Sequence, residues 1–269
     1  MKYLLCSLIL FLGGFRAVAQ APSGRPFVLG VTDKVHSAAL GEDRILNIYL
    51  PDGYKENAGR TYPVIYLLDG SANEDFIHVC GLVQFLNMIG YMPSTVVVGI
   101  ANVDRKRDFT FPSALAGDLQ KIPNAGGATK FIQFMHAELK PYISSHYRVN
   151  DSTTLIGQSL GGLLATQLLL EQPGLFRNYI IVSPSLWWNK ESLLTRAVAL
   201  MPQAVAATTV YISAGGREPG FMKKDAKRLS RLLKKGTAMN IYWQPELHES
   251  HLTILHNCLY HALVRLNGH

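Results

Sequence analysis

Seven short apolar runs punctuate the chain, at residues 45–50, 64–68, 95–100, 153–156, 179–182, 209–213 and 240–243. They are rich in Val, Ile and Tyr and bounded by turn formers, and most carry apolar residues at consecutive positions. That pattern predicts strands buried on both faces. Between them the apolar positions recur at helical spacing near 76–89, 128–145, 161–171, 190–200, 222–235 and 252–266. Strands alternating with helices predict a mostly parallel α/β sheet covered by helices on both faces. Residues 27–35 and 45–50 have no helix between them, which predicts an antiparallel start. The stretch 104–127, with Pro112, Pro123, Gly126 and Gly127, reads as a long loop bordering a cleft. No repeat or second domain is evident.

In such a sheet, chemically active groups collect where the strands end. Five positions qualify: Asp69-Gly70, Ser159, Ser183-Pro184-Ser185, the segment from Gly215 to Glu218, and His251 in the loop after the last strand.

The first twenty residues stand apart. Lys2, the apolar run from Leu4 to Leu12 and Ala17-Val18-Ala19 fit a cleavable export signal, leaving residues 20–269 as one domain. The run is short for a membrane span and is followed by Gly13-Gly14 and Arg16. The expectation is an exported protein, periplasmic or secreted, with no stable membrane insertion after cleavage. Removing Lys2 and Arg16 takes the formal charge from +7 to +5. Cys80 and Cys258 then remain; an oxidising compartment would permit them to pair, and sequence leaves that open. The basic residues between Met222 and Gly236 recur at helical spacing over Leu229, Leu232 and Leu233, which reads as a solvated helix face. With export and no aromatic platform beside it, nucleic acid is not an expected partner. His248 and His251 lack further ligands at zinc spacing, so no metal is expected. Oligomeric state is not legible.

The sharpest motif is Gly157-Gln158-Ser159-Leu160-Gly161, between a strand and an apolar helix. Strand, glycine-flanked turn and helix form the context in which G-x-S-x-G becomes a nucleophile elbow of the α/β-hydrolase type. Serine needs a base within hydrogen-bond reach, usually histidine oriented by a carboxylate. In the order Ser, acid, His, the base is expected at His251, with His248 the alternative. The acid is expected at Glu218, the first carboxylate after the strand at 209–213. Glu246 and Glu249 are rivals, Asp225 lies too far into the next helix, and a Ser–His dyad is a further alternative. Oxyanion donors are expected at the Leu160 amide and in the turn at Gly70 or Ser71.

These residues together resemble the Putative esterase family of α/β hydrolases, the group related to esterase D and siderophore trilactone esterases. The blocks that carry the resemblance are Tyr62-Pro63-Val64-Ile65-Tyr66-Leu67-Leu68-Asp69-Gly70, Asp104-Arg105-Lys106-Arg107-Asp108-Phe109-Thr110, the pentad, Ser183-Pro184-Ser185-Leu186-Trp187-Trp188, and Glu249-Ser250-His251. The last favours His251 over His248. Phe111 intervenes before Pro112, where the family commonly has proline directly after the threonine. Gly-Gly-Arg-Glu stands at the acidic position, where relatives often show G-E-x-E.

The resemblance implies a serine esterase acting on a small-molecule ester through an acyl-enzyme, without cofactor, with siderophore trilactone one candidate substrate; the N-terminal leader makes it an exported one. Arg105 and Arg107 would bind an anionic substrate, or else pair with Asp104 and Asp108. Trp187 and Trp188 would line the pocket, or else pack in the core. Other readings are an esterase for feruloyl or acetyl sugar esters, an acyltransferase, and a non-catalytic binding protein on the same fold.

Overall fold

The computed structural model describes residues 24–200 and 207–269; the segment read as an export signal lies outside them. Eight strands form one sheet: β1 (Val31–Ser37), β2 (Glu42–Tyr49), β3 (Tyr62–Leu67), β4 (Val96–Ile100), β5 (Val149–Gln158), β6 (Asn178–Val182), β7 (Thr209–Ser213) and β8 (Asn240–Trp243). Their order is β1-β2-β4-β3-β5-β6-β7-β8. The β1–β2 and β2–β4 pairs are antiparallel and the rest parallel. This is the α/β-hydrolase fold with the antiparallel start the sequence predicts.

Successive strand residues point to opposite faces, and each face packs its own helices. Val64, Tyr66, Val98, Tyr179, Ile181, Val210 and Ile212 join the larger apolar cluster, with α6 (Leu160–Glu171) at its centre. Ile65, Leu67, Val97, Ile180 and Tyr211 face the other side, against α1 (Phe76–Met88) and α9 (Ile254–Leu266). Helix α6 is buried from Leu160 to Leu170, which accounts for a sequence too apolar to show a polar face. Cys80 and Cys258 share the second cluster as buried free thiols, so the pairing left open by sequence is not made.

The early strand begins at Val31; Phe27 and Val28 precede it and are exposed. The helical stretch at 128–145 is three pieces: α4 (Ala128–Phe134), a π-helical turn (Met135–Leu139) and α5 (Lys140–His146). Pro141 sits in the first turn of α5, where its missing N–H and bulky ring disturb the preceding turn. The loop at 104–127 holds two short helices, α2 (Arg105–Asp108) and α3 (Ala116–Lys121). Buried Arg44 fastens α2 to β2, bridging Glu42 and Asp108. Helix α7 (Trp188–Leu200) starts through three left-handed residues, Asn189, Lys190 and Glu191, the first held by the Asp118 carboxylate. No helix among the described residues is long and apolar enough to cross a membrane.

Helix α8 (Gly220–Gly236) presents Leu229 and Leu233 inward and its lysines outward, as its spacing predicts. It also buries Asp225, both of whose carboxylate oxygens lack a hydrogen-bond partner among the described residues. Burial, reinforced by Glu191, pushes this carboxyl up to about 6. A folded value above the ordinary 3.8 means that stability is lost as pH rises from near 4 through about 6. Asp225→Asn is therefore expected to stabilise the protein by about 1–3 kcal/mol at pH 7. Thermal unfolding followed across pH checks this: the gain should disappear near pH 4.

Candidate active site

Three neighbouring strands end in residues with left-handed backbones: Asp69 after β3 (φ 57°), Ser159 after β5 (φ 59°) and Ser183 after β6 (φ 44°). Non-glycine residues hold such angles only where surrounding contacts impose them. At Ser159 those contacts are explicit. Its N–H donates to Val182 O (3.0 Å), and its carbonyl accepts from Leu163 N–H (3.0 Å) and Ser185 N–H (3.0 Å). Gly157 is required because a Cβ there would lie 2.4 Å from Gly161 O. The chain thus turns from strand into α6 with the serine at the apex.

Ser159 Oγ lies 2.9 Å from His251 Nε2, and His251 Nδ1 lies 2.8 Å from Glu218 Oε1. Glu218 Oε2 accepts from the Gly215 N–H (3.2 Å). The Glu218 side chain is fully buried. Burial raises its pKa, but the hydrogen bond from His251 and the polar groups of Ser183 and Gly215 outweigh it, and the carboxyl sits below its ordinary value. An ionised carboxylate only accepts, so Nδ1 carries the ring proton and Nε2 is left to accept from Ser159.

Backbone pairing sets this register. Gly216 N–H donates to Glu246 O (2.8 Å), Arg217 N–H to Glu249 O (3.0 Å) and Glu246 N–H to Ala214 O (3.1 Å). A Cβ on Gly215 would stand 2.6 Å from Glu249 O, and one on Gly216 would stand 2.1 Å from Leu247 O. Glycine at both positions lets the acid loop lie directly against the histidine loop. The rival acids are engaged elsewhere: Glu246 with His261 (2.8 Å) and Glu249 with Asn257. His248 is exposed on the same loop.

The Leu160 N–H, at the start of α6, donates to no acceptor among the described residues. It is an available oxyanion donor, aided by the positive end of the helix. Gly70 is not. Its N–H donates to Ile100 O (3.0 Å), because the turn after β3 lies hard against β4. A Cβ on Gly70 would fall 2.3 Å from Gly99 Cα, so this glycine serves close packing. The candidate second donor is Ser71 N–H, whose partner is Glu74 Oε2 at 3.3 Å.

Ser159 and His251 line an open cleft of about 410 Å³ together with Asp69, Glu74, Asp75 and Arg105. Arg105 is in the cleft, but its fork closes on Asp69 (Nε to Oδ1 2.6 Å, Nη2 to Oδ2 2.8 Å), with a longer contact to Gln158 O (3.4 Å). Arg107 is not in it. Its guanidinium is held by Asp108 (2.8 Å), the ion-pair alternative read from the sequence, and by Glu42 (2.5 Å). Trp188 is wholly buried, its indole N–H donating to Phe111 O (2.8 Å), so it is core rather than pocket wall. That bond also gives the intervening Phe111 a role. Trp187 is half-buried, outside the cleft lining, with the Lys121 ammonium 5.8 Å from its ring centre.

Glu74, Asp75 and Asn102 belong to the cleft region but to no motif. Asn102 donates to Asp69 Oδ1 (2.7 Å) and to both oxygens of Glu74 (3.1 Å each). The clustering of strand ends is the one sequence signal that could have pointed to them.

The family described as Putative esterase matches residues 37–256. A ferri-bacillibactin esterase of Bacillus subtilis is 31% identical over 211 residues, covering 71% of this chain and 72% of the relative. A siderophore enterobactin esterase of Emericella nidulans is 29% identical over 185 residues, 60% of each chain. Among solved structures, an IroE-like serine hydrolase from Shewanella oneidensis superimposes with a TM-score of 0.77 at 30% identity, covering 88% of this chain and 79% of that one.

Proposed function

The chain belongs to the Putative esterase family and is a carboxylic ester hydrolase, and from that premise we propose that it works through Ser159, His251 and Glu218. The observation that carries this is the unbroken relay from Ser159 Oγ through the His251 ring to Glu218, at 2.9 and 2.8 Å, opening on one cleft. Ser159 attacks the ester carbonyl as its hydroxyl proton passes to His251 Nε2. Glu218 stabilises the imidazolium and holds its orientation. Negative charge builds on the carbonyl oxygen beside the Leu160 and Ser71 N–H groups. Collapse breaks the C–O bond, and the leaving alcohol takes the proton from His251. Water then attacks the acyl-enzyme with His251 as base, releasing the acid and restoring Ser159.

The substrate class proposed is a siderophore ester, supported by the relatives named for such substrates. The charged n-region, apolar run and small-residue site at residues 1–19 support export, with residues 20–269 as the working domain.

A hydrolysis screen tests the substrate reading by comparing ferric and iron-free trilactones with feruloyl and acetyl sugars. The expected result is trilactone opening with uptake of one water at each ester cleaved. Cleavage confined to the sugar esters would overturn the siderophore assignment.

A further inference from the structure

We infer that Glu74 is a charge filter on the oxyanion side of the cleft, favouring esters that carry a cation or no charge near the scissile carbonyl and disfavouring anionic ones. This rests on Ser159 being the nucleophile. The cation of the cleft is already offset: Arg105 sets its Nε and Nη2 edge against Asp69. Glu74 is exposed and lines the same cleft as Ser159 and His251. Its carboxylate accepts from Asn102 and from Ser71 N–H, and it has no ion-pair partner among the described residues. Asp75, beside it, also has no ion-pair partner among the described residues; burial and the neighbouring Asp69 outweigh the pull of His256 and Arg105 and push its carboxyl up to about 6.

The position of Glu74 gives its charge a specific consequence. Gly70 N–H is consumed by Ile100, which makes Ser71 N–H the next candidate donor of that turn, and Glu74 Oε2 rests on it. A carboxylate there competes with the developing oxyanion. A cation on the substrate draws the carboxylate off Ser71 and leaves the donor free. An anion adds repulsion in a cleft where three carboxylates, Asp69, Glu74 and Asp75, stand against one arginine. For a catecholate trilactone, the same filter favours the uncharged iron-free ligand over its trianionic ferric complex.

Three thioacetates of matched bulk test this, with released thiol as readout: S-acetylthiocholine (cationic), 3,3-dimethylbutyl thioacetate (neutral) and 3-(acetylthio)propanesulfonate (anionic). In the full chain, kcat/KM should fall in that order over a span on the order of 10-fold, narrowing at high salt. In Glu74→Gln, whose amide oxygen can still accept from Ser71, the span should shrink to about twofold, while Glu74→Asp keeps the order. Equal or reversed rates in the unmodified protein would overturn the inference. So would a Glu74→Gln variant that slows all three alike, since that marks a role in bracing Asn102 and Ser71 only. Failure to cleave any of the three, together with no fluorophosphonate labelling of Ser159, would contradict the esterase mechanism at Ser159 itself, a different result from cleavage without charge order.

Discussion

Ser159→Ala is expected to lower kcat/KM for p-nitrophenyl acetate by about 10⁴-fold or more, equivalent to at least ~5 kcal/mol of transition-state stabilisation. The substitution removes the atom that forms the acyl bond and leaves the rest of the cleft in place. The proposed oxyanion donors, Leu160 and Ser71 N–H, are untouched by it, so residual turnover above the uncatalysed rate is expected. Stability should hardly change. The bonds that impose the turn at Ser159 are made by its backbone, to Val182, Leu163 and Ser185, and alanine keeps all of them. Unfolding within about 0.5 kcal/mol of the unmodified protein, alongside the lost activity, would separate chemistry from folding.

The second large effect is expected at Glu218→Gln, with kcat falling about 10³- to 10⁴-fold and KM little changed. Glutamine fills the same space, but its amide can donate to Nδ1 as readily as accept from it. When it donates, the ring proton moves to Nε2 and His251 can no longer take the proton of Ser159. The same carboxylate has a signature in stability. Its pKa is lowered on folding, so its contribution is present above the ordinary value of 4.5 and is lost as pH falls through the lower folded value. The variant should therefore unfold more easily than the parent near pH 7, and the difference should shrink at the acid end of a thermal series. Equal activity in Glu218→Gln would point to a Ser–His dyad.

The sheet was legible because its strands are apolar on both faces and its helices fall between them. Strand ends then brought Asp69, Ser159, Ser183, Glu218 and His251 to one side, as the α/β pattern predicts. Chain order and loop position favoured Glu218 over Glu246 and Glu249 but left the choice open; its carboxylate lies 2.8 Å from the His251 ring. What sequence could not show was how individual groups are spent. Gly70 sits in a motif, yet its amide belongs to Ile100 because β3 and β4 are neighbours in the sheet. Arg107 belongs to Glu42, 65 positions away, and Trp188 to Phe111, 77 positions away. Glu74 and Asn102, 28 positions apart, meet only because the turns after β3 and β4 emerge side by side. Such contacts leave no periodicity or spacing along the chain, so motif reading assigns the residue a role while missing its partner.

Active-site labelling shows whether Ser159 is the nucleophile. The full chain is treated with a fluorophosphonate, and the adduct is located by peptide mass mapping. The expected result is a single phosphonyl group on Ser159, absent from Ser159→Ala and formed much more slowly in Glu218→Gln. Labelling on Ser183 or Ser185 instead, or undiminished labelling of Ser159→Ala, would contradict it.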